Sequence, residues 1–179
     1  MHLSPRTPRP ARAPLVARLL ITAVLFPMVA AACSSTSGSS NSGSRASGSQ
    51  WSPVGTWGTK PTVVVPSGPP PTTLETHDLI VGTGATAQAG ATVSVQYVGV
   101  SYSSKKQFDA SWDRGQPLSF QLGVHQVIAG WDEGVAGMKV GGRRELIIPP
   151  SLAYGATSPG PGIASNDTLI FIVDLLQVS

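Results

Sequence analysis

From Asp78 onward the chain is a series of short apolar or alternating runs, broken repeatedly by Gly, Pro and small polar residues. Thr92-Val-Ser-Val-Gln-Tyr97 alternates with period two, so Val93, Val95 and Tyr97 share one face of a strand. Further strands are expected at Asp78–Val81, Ser119–Leu122, Arg144–Ile148 and Thr168–Val178. In the last of these Leu169, Phe171, Val173 and Leu175 fall on one side. One segment has helical spacing instead: Val127, Ile128, Trp131 and Val135 recur over Gln126–Val135, and Gly137 is placed to end the helix. Its internal glycines, Gly130 and Gly134, make it a weak helix former in isolation. Short, mostly antiparallel strands with one short helix imply an α+β domain over residues 72–179 whose curved sheet wraps that helix.

Ahead of this domain the pattern changes. The first 18 residues hold four of the twelve Lys and Arg (Arg6, Arg9, Arg12 and Arg18) and none of the nine Asp and Glu. They lead into an apolar run, Leu19–Ala32, broken only by Thr22 and Pro27 and ending at Ala-Ala-Ala-Cys33. These are the three parts of a secretory signal, residues 1–32. A run of 14 residues falls short of the ~20 that a spanning helix needs, and Pro27 weakens it further. The small residues before the only cysteine resemble the lipobox of bacterial lipoproteins, in which Cys33 would be lipidated and become the new N-terminus. Ala30 stands where that motif more often has Leu, and the other outcome is cleavage after Ala32 with a free thiol. Lipidation is the expectation, because a lone exported cysteine has no internal disulfide partner, and two acyl chains anchor firmly where one is marginal. The domain would then sit on the outer face of a bacterial cytoplasmic membrane.

Residues 34–50 contain nine Ser and three Gly among seventeen positions, too little apolar surface to offset the entropy of ordering. With the stiffer Pro-rich stretch Pro53–Pro71 they are expected to make a tether over residues 33–71, spanning roughly 30–40 Å as a coil. Thr62-Val-Val-Val65 within it is open to two assignments, an edge strand packed on the domain or a solvated linker. From Cys33 onward eight bases face nine acids, so the high pI belongs to the signal and no basic nucleic-acid surface is supported.

Candidate chemistry narrows quickly. Gly82-Thr-Gly-Ala-Thr-Ala87 fits a Gly-x-Gly-x-x-Ala dinucleotide fingerprint, but a strand follows it rather than a helix, with no acidic residue about twenty positions on. It is a turn, and no cofactor is expected. Asn166-Asp-Thr168 is a formal glycosylation sequon, incidental behind a bacterial-type signal. His77 and His125 are far apart and the one cysteine lies at the anchor, so no metal or thiol cluster suggests itself, and nothing resembles a nucleophile elbow. What remains is an aromatic set, Tyr97, Phe108, Trp131, Tyr154 and Phe171, drawn from five segments with Val127, Ile128 and Ile163 interspersed. Any one of these alone is an ordinary core residue. Their polar company argues for more: Asp109 follows Phe108, Arg114 lies five residues on, and Tyr154 sits in a Gly-rich turn.

The run Gln126-Val-Ile-Ala-Gly-Trp-Asp-Glu-Gly-Val-Ala-Gly-Met138, taken with Ala153-Tyr-Gly155, Tyr97, Phe108-Asp109 and Thr168-Leu-Ile-Phe171, resembles the FKBP family of peptidyl-prolyl isomerases over roughly residues 72–179. The resemblance implies a half-barrel-like antiparallel sheet around a short helix, cofactor-free isomerisation of X-Pro bonds in polypeptides, and binding of the macrolides tacrolimus and rapamycin. It also implies roles. Trp131 would be the floor of a pocket, with Tyr97, Phe108, Leu118, Val127, Ile163 and Phe171 as walls. Asp109 and Arg114 would pair at its rim, while the Tyr154 hydroxyl and the Ile128 amide donate to ligand carbonyls. Asp109 either acts electrostatically on the rotated carbonyl or orients Arg114 and Tyr154. The chain departs from the family pattern at Leu118, where many members have Phe, at Gln126 and Trp112, and in the loop Ser158–Gly162. Ile172 occupies an outward position that is usually polar, which implies a small exposed apolar contact. The function expected is an exported, lipid-anchored isomerase that assists the folding of other exported proteins. A binding module or chaperone, holding Pro-containing segments in the same pocket without turnover, is the reading from a different class.

Overall fold

The computed structural model describes residues 50–179; the expected signal peptide, Cys33 and the Ser-rich half of the tether lie outside them. Six strands, β1 (Glu75–Ile80), β2 (Thr92–Ser101), β3 (Gln107–Ala110), β4 (Leu118–Gln121), β5 (Arg143–Ile148) and β6 (Leu169–Val178), form one antiparallel sheet. Its order is β1-β5-β6-β2-β3, with β4 also paired to β2. The two ten-residue strands β2 and β6 make the centre, paired from Val93↔Val178 to Ser101↔Leu169 with one register shift between Ser94 and Val95. Along its other edge β2 pairs first with β4, over Thr92–Val95, and then with β3, over Val98–Val100. Between those pairings lies α1 (Ser111–Arg114), a single turn. Strand β3 is an element the period-two pattern does not reveal.

The alternation does its expected work on the inner face. Val93, Val95 and Tyr97 of β2 meet Leu146 and Ile148 of β5 and Leu169, Phe171, Val173 and Leu175 of β6 around Trp131 and Val135. Each such side chain, fully buried, is worth about 1.5–3 kcal/mol. The helix that supplies Trp131 and Val135 is α2 (Ala129–Val135). It starts later than the spacing predicts, because Ile128 is extended (φ −60°, ψ 147°) and serves as the N-cap. Two glycines explain how it lies so near the sheet. A Cβ on Gly130 would come within 2.3 Å of Ile148 Cγ2, and one on Gly134 within 2.8 Å of Leu146 Cδ2. Low intrinsic helix propensity is accepted here in exchange for close approach.

The outer face of the same sheet is covered too, and by a segment expected to be tether. Residues 50–71 lie against it: Val63 and Val65 pack on Tyr102, Ile147 and Ile170 and on Val98, Val100 and Ala110. Trp51 stacks on His77 with ring centroids 4.7 Å apart. No strand forms at residues 62–65; the Val64 N–H bonds the Ser52 hydroxyl at 2.8 Å rather than joining a ladder. The physical reason is that this face cannot be left to water. Alongside its Val and Ile it carries Arg143, Glu145 and Asp174, all buried, and a buried charge must be paired and hydrogen-bonded. Arg143 grips Asp174 at 2.5 and 2.7 Å and donates to the carbonyls of Val54 and Thr59, while the Ser52 N–H and hydroxyl donate to Glu145 at 2.7 and 3.0 Å. Ile172, expected to be exposed, is fully buried between Val98 and Glu145 in the ladder.

Candidate functional site

Aromatic side chains converge where β2, β3, β6 and α2 meet. Trp131 comes from the first turn of α2 and is buried. Its ring stands edge-to-face on Tyr97 (5.1 Å, 88°) and on Phe171 (5.2 Å, 90°), and tilted against Phe120 at 5.6 Å. Phe108 stands edge-to-face on Phe171 at 5.6 Å. Such interlocked rings leave one another few rotamers and so hold a fixed shape. Room for two of them comes from Gly99, opposite Asp109 in the ladder: a Cβ there would lie 2.7 Å from Phe108 and 2.8 Å from Phe171.

Above Trp131 is an open cavity of about 260 Å³. Tyr97, Phe108, Leu118, Val127, Ile128 and Phe171 line it with Trp131, and Asp109, Gln126 and Tyr154 supply polar groups. Nearly every sequence-predicted residue is thus brought together. Arg114 stands at the mouth, bonded to two of the lining residues. Ile163 is the exception: it packs against the core and does not line the cavity. Its loop closes on itself, with the Ser158 hydroxyl donating to the Ile163 carbonyl at 2.6 Å, so the backbone turns before it reaches the wall. Gln126, a departure from the motif in sequence, lines the cavity and uses its Oε1 to accept the Gln121 N–H at 2.9 Å. Asp132 pins the same loop by accepting the N–H groups of Gly123 and His125 at 2.8 and 3.0 Å.

The polar rim is a closed chain of bonds. Arg114 donates to Asp109 Oδ1, and its other amino group donates to the Tyr97 hydroxyl at 2.8 Å; that hydroxyl in turn donates to Asp109 Oδ2. The guanidinium also lies 5.6 Å from the centroid of the Tyr97 ring. Burial, and next the bond to Asp109, raise the Tyr97 pKa. Tyr154 is raised by its burial and then by the negative charge of Asp109. Both phenols therefore stay protonated at neutral pH. Arg114 is raised by its bonds to Tyr97 and Asp109 and stays charged. Asp109 bonds Arg114 and Tyr97 and acts on Tyr154 through its charge. Period-two spacing put Tyr97 on the core face and gave no sign that its hydroxyl reaches the rim. Among the described residues no three His, Cys, Asp or Glu side chains cluster as metal ligands.

An apolar slot with a rigid aromatic floor and a few polar groups at its mouth defines a site for an apolar ring flanked by hydrogen-bond acceptors. The family model described as FKBP-type peptidyl-prolyl cis-trans isomerase matches residues 84–176. An FK506-binding protein of Streptomyces anulatus is 61% identical over 120 residues, 66% of this chain and 97% of that protein. A probable FK506-binding protein of Corynebacterium glutamicum is 51% identical over 118 residues, 66% of this chain and 98% of that one. Among solved structures, FkpA from Escherichia coli aligns with a TM-score of 0.54 and 44% identity, over 59% of this chain and 48% of that chain. The chain belongs to the FKBP-type peptidyl-prolyl cis-trans isomerase family.

Proposed function

We propose that the protein isomerises X-Pro bonds of exported polypeptides without a cofactor, held through a lipidated Cys33 on the outer face of the cytoplasmic membrane. The observation that carries the catalytic part is the slot itself, floored by Trp131 and walled by Tyr97, Phe108 and Phe171. Rotation about an X-Pro bond faces a barrier of ~18–20 kcal/mol created by amide resonance. The twisted transition state has lost that resonance, so its carbonyl is less polar than in the planar amide. A site that strips water from the amide and seats the prolyl ring on apolar surface favours the twisted form over the planar one. No nucleophile or metal is required for that.

The flanking chain must be held while one bond turns. The Ile128 N–H precedes the first turn of α2, where no intrahelical acceptor exists, and so is placed to donate to a substrate carbonyl. Tyr154, 42% exposed, offers its neutral hydroxyl at the mouth. Asp109 has both carboxylate oxygens engaged by Tyr97 and Arg114, which supports a site-shaping role for it. The same slot accounts for macrolide binding of the kind named in the relatives.

The test is a protease-free isomerisation assay on an X-Pro peptide with a tacrolimus control. Acceleration that tacrolimus abolishes is expected. A folded protein that binds tacrolimus yet gives only the spontaneous rate would make it a binding module instead. For the anchor, Cys33→Ala should move the protein from the membrane fraction to the soluble exported fraction, and unchanged fractionation would count against lipidation.

A further inference from the structure

Strand β3 is lightly secured in the sheet, yet it delivers much of the site. It is a four-residue edge strand with only three registered pairs to β2, and the register shifts between Gly99 and Val100. Behind it α1 is one turn, with no side-chain N-cap and too short to sustain itself. Short, thinly paired segments of this kind open most easily. Phe108, Asp109 and Arg114 all come from this stretch.

What holds it comes from two sides. Toward β2, the buried hydroxyl of Ser111 accepts the Tyr97 N–H at 2.8 Å and donates to the Gln96 side chain. On the outer side the hold comes from residues that precede the matched family region. Val63 and Val65 pack with Trp112 over Val98, Val100 and Ala110. Lys60 Nζ donates to Asp113 Oδ1 at 2.5 Å, and Asp113 Oδ2 accepts from Gln107 Nε2 at 2.7 Å. Asp113, the residue just before Arg114, thereby joins the outer segment to the first residue of β3.

The geometry points to residues 60–65 as a positioning element for the cavity mouth: by bonding Asp113 and by packing on the cluster that also seats Trp112, they set where Arg114 stands, and through Arg114 the Asp109 and Tyr97 side chains. None of these outer residues lines the cavity, so the effect passes through Arg114. The two contacts differ in kind. Lys60 and Asp113 are 40% and 52% exposed, so salt weakens their attraction, whereas the packing of Val63 and Val65 on the cluster they share with Trp112 is indifferent to salt.

The kinetic arm of the test rests on the isomerase reading; a second arm does not. Full-length protein carrying Lys60→Ala, Lys60→Arg, or Val63→Ser with Val65→Ser would be compared, each with and without Arg114→Ala. An exposed pair of this type sets a scale of roughly two- to five-fold. Lys60→Ala should lower kcat/KM by that factor, mainly through KM, with Lys60→Arg restoring it. Salt at about 0.5 M, where the screening length is ~4 Å, should reproduce the loss in the unsubstituted protein. The double valine variant should lose roughly ten-fold, as befits a partly buried apolar contact removed at two positions. Neither change should cost anything further once Arg114→Ala is present. Independently of activity, the Arg114 Nε–H resonance in a nitrogen-15 spectrum should be sharp in the unsubstituted protein and broaden in Lys60→Ala. An Arg114 resonance that Lys60→Ala leaves unchanged overturns the inference, as do kinetic losses that persist undiminished beside Arg114→Ala. If the double valine variant does not fold, the Lys60 pair decides. A protein that fails to isomerise removes the functional reading, and the resonance alone then decides the positioning role.

Discussion

Gly130→Ala sets two effects of opposite sign against each other, and the structure says which wins. In an exposed helix the change would stabilise by about 1 kcal/mol, because alanine loses less backbone entropy than glycine. Here the new methyl would sit 2.3 Å from Ile148 Cγ2, 2.9 Å from Cδ1 and 3.0 Å from Cγ1. Carbon atoms prefer about 3.5–4.0 Å. Ile148, the last residue of β5, is fully buried and packed in the core, and cannot swing aside. Over-packing of a tight core costs about 1–3 kcal/mol, and three atoms met at once argue for the upper half of that range. The net expectation is a loss of about 1–2 kcal/mol, or roughly 3–8 °C in Tm. Urea unfolding followed by circular dichroism should show a lower midpoint with an unchanged slope. Because α2 must lift from the sheet and takes Trp131 with it, kcat/KM in the isomerisation assay should also fall under fully folded conditions. In an Ile148→Ala background the methyl has space, so Gly130→Ala should become neutral or stabilising, a coupling of about 2 kcal/mol. A gain of about 1 kcal/mol in the otherwise unchanged protein would refute the close-approach argument.

Two further substitutions probe charge and hydrogen bonding. Tyr97→Phe removes only the hydroxyl that joins Arg114 to Asp109; stability should fall by about 1 kcal/mol and kcat/KM by a larger factor, about ten-fold, measured against tacrolimus affinity. Since burial and the Asp109 bond raise Tyr97 above 10.0, its contribution is full below the unfolded value and is lost as pH rises through the folded one. The stability gap to Tyr97→Phe should therefore be flat from about pH 6 to 9 and shrink only above ~10; shrinkage at neutral pH would contradict the assignment. Glu145 is raised above 4.5 by burial, against the opposing bonds from Ser52. The stability it contributes is thus present below pH ~4.5 and lost as pH rises through the raised value, a slope that Glu145→Gln should abolish. Parallel stability profiles for the two proteins between about pH 4.5 and 7 would show that the Ser52 bonds outweigh burial.

How much could be read beforehand differs element by element. The inner faces of β2 and β6 were plain, because period-two alternation survives wherever one face is buried against a core. Strand β3 was not, since Gln107–Ala110 is too short to establish a period and owes its extended form to β2 beside it. Most of the cavity lining was legible through family motifs, but the partner of Asp109 was not: a hydroxyl's reach depends on where two strands and a helical turn meet. Ile163 failed for a related reason, its loop being closed by a local bond from Ser158 that spacing does not encode.

The amino-acid pattern by itself determined the α+β domain, the faces of its long strands, the place of α2 and the aromatic set around Trp131, because each follows from local periodicity or from a run of neighbouring residues. Only the tertiary structure decided that residues 50–71 belong to the folded unit. Their Pro- and Gly-rich composition resembles a linker, and Thr62-Val-Val-Val65 within the segment left a packed edge strand and a solvated linker equally open. Order comes from the far side of the sheet, where Arg143, Glu145 and Asp174 lie buried among Val and Ile, and where Ser52 and the carbonyls of Val54 and Thr59 complete the bonds that water would otherwise supply.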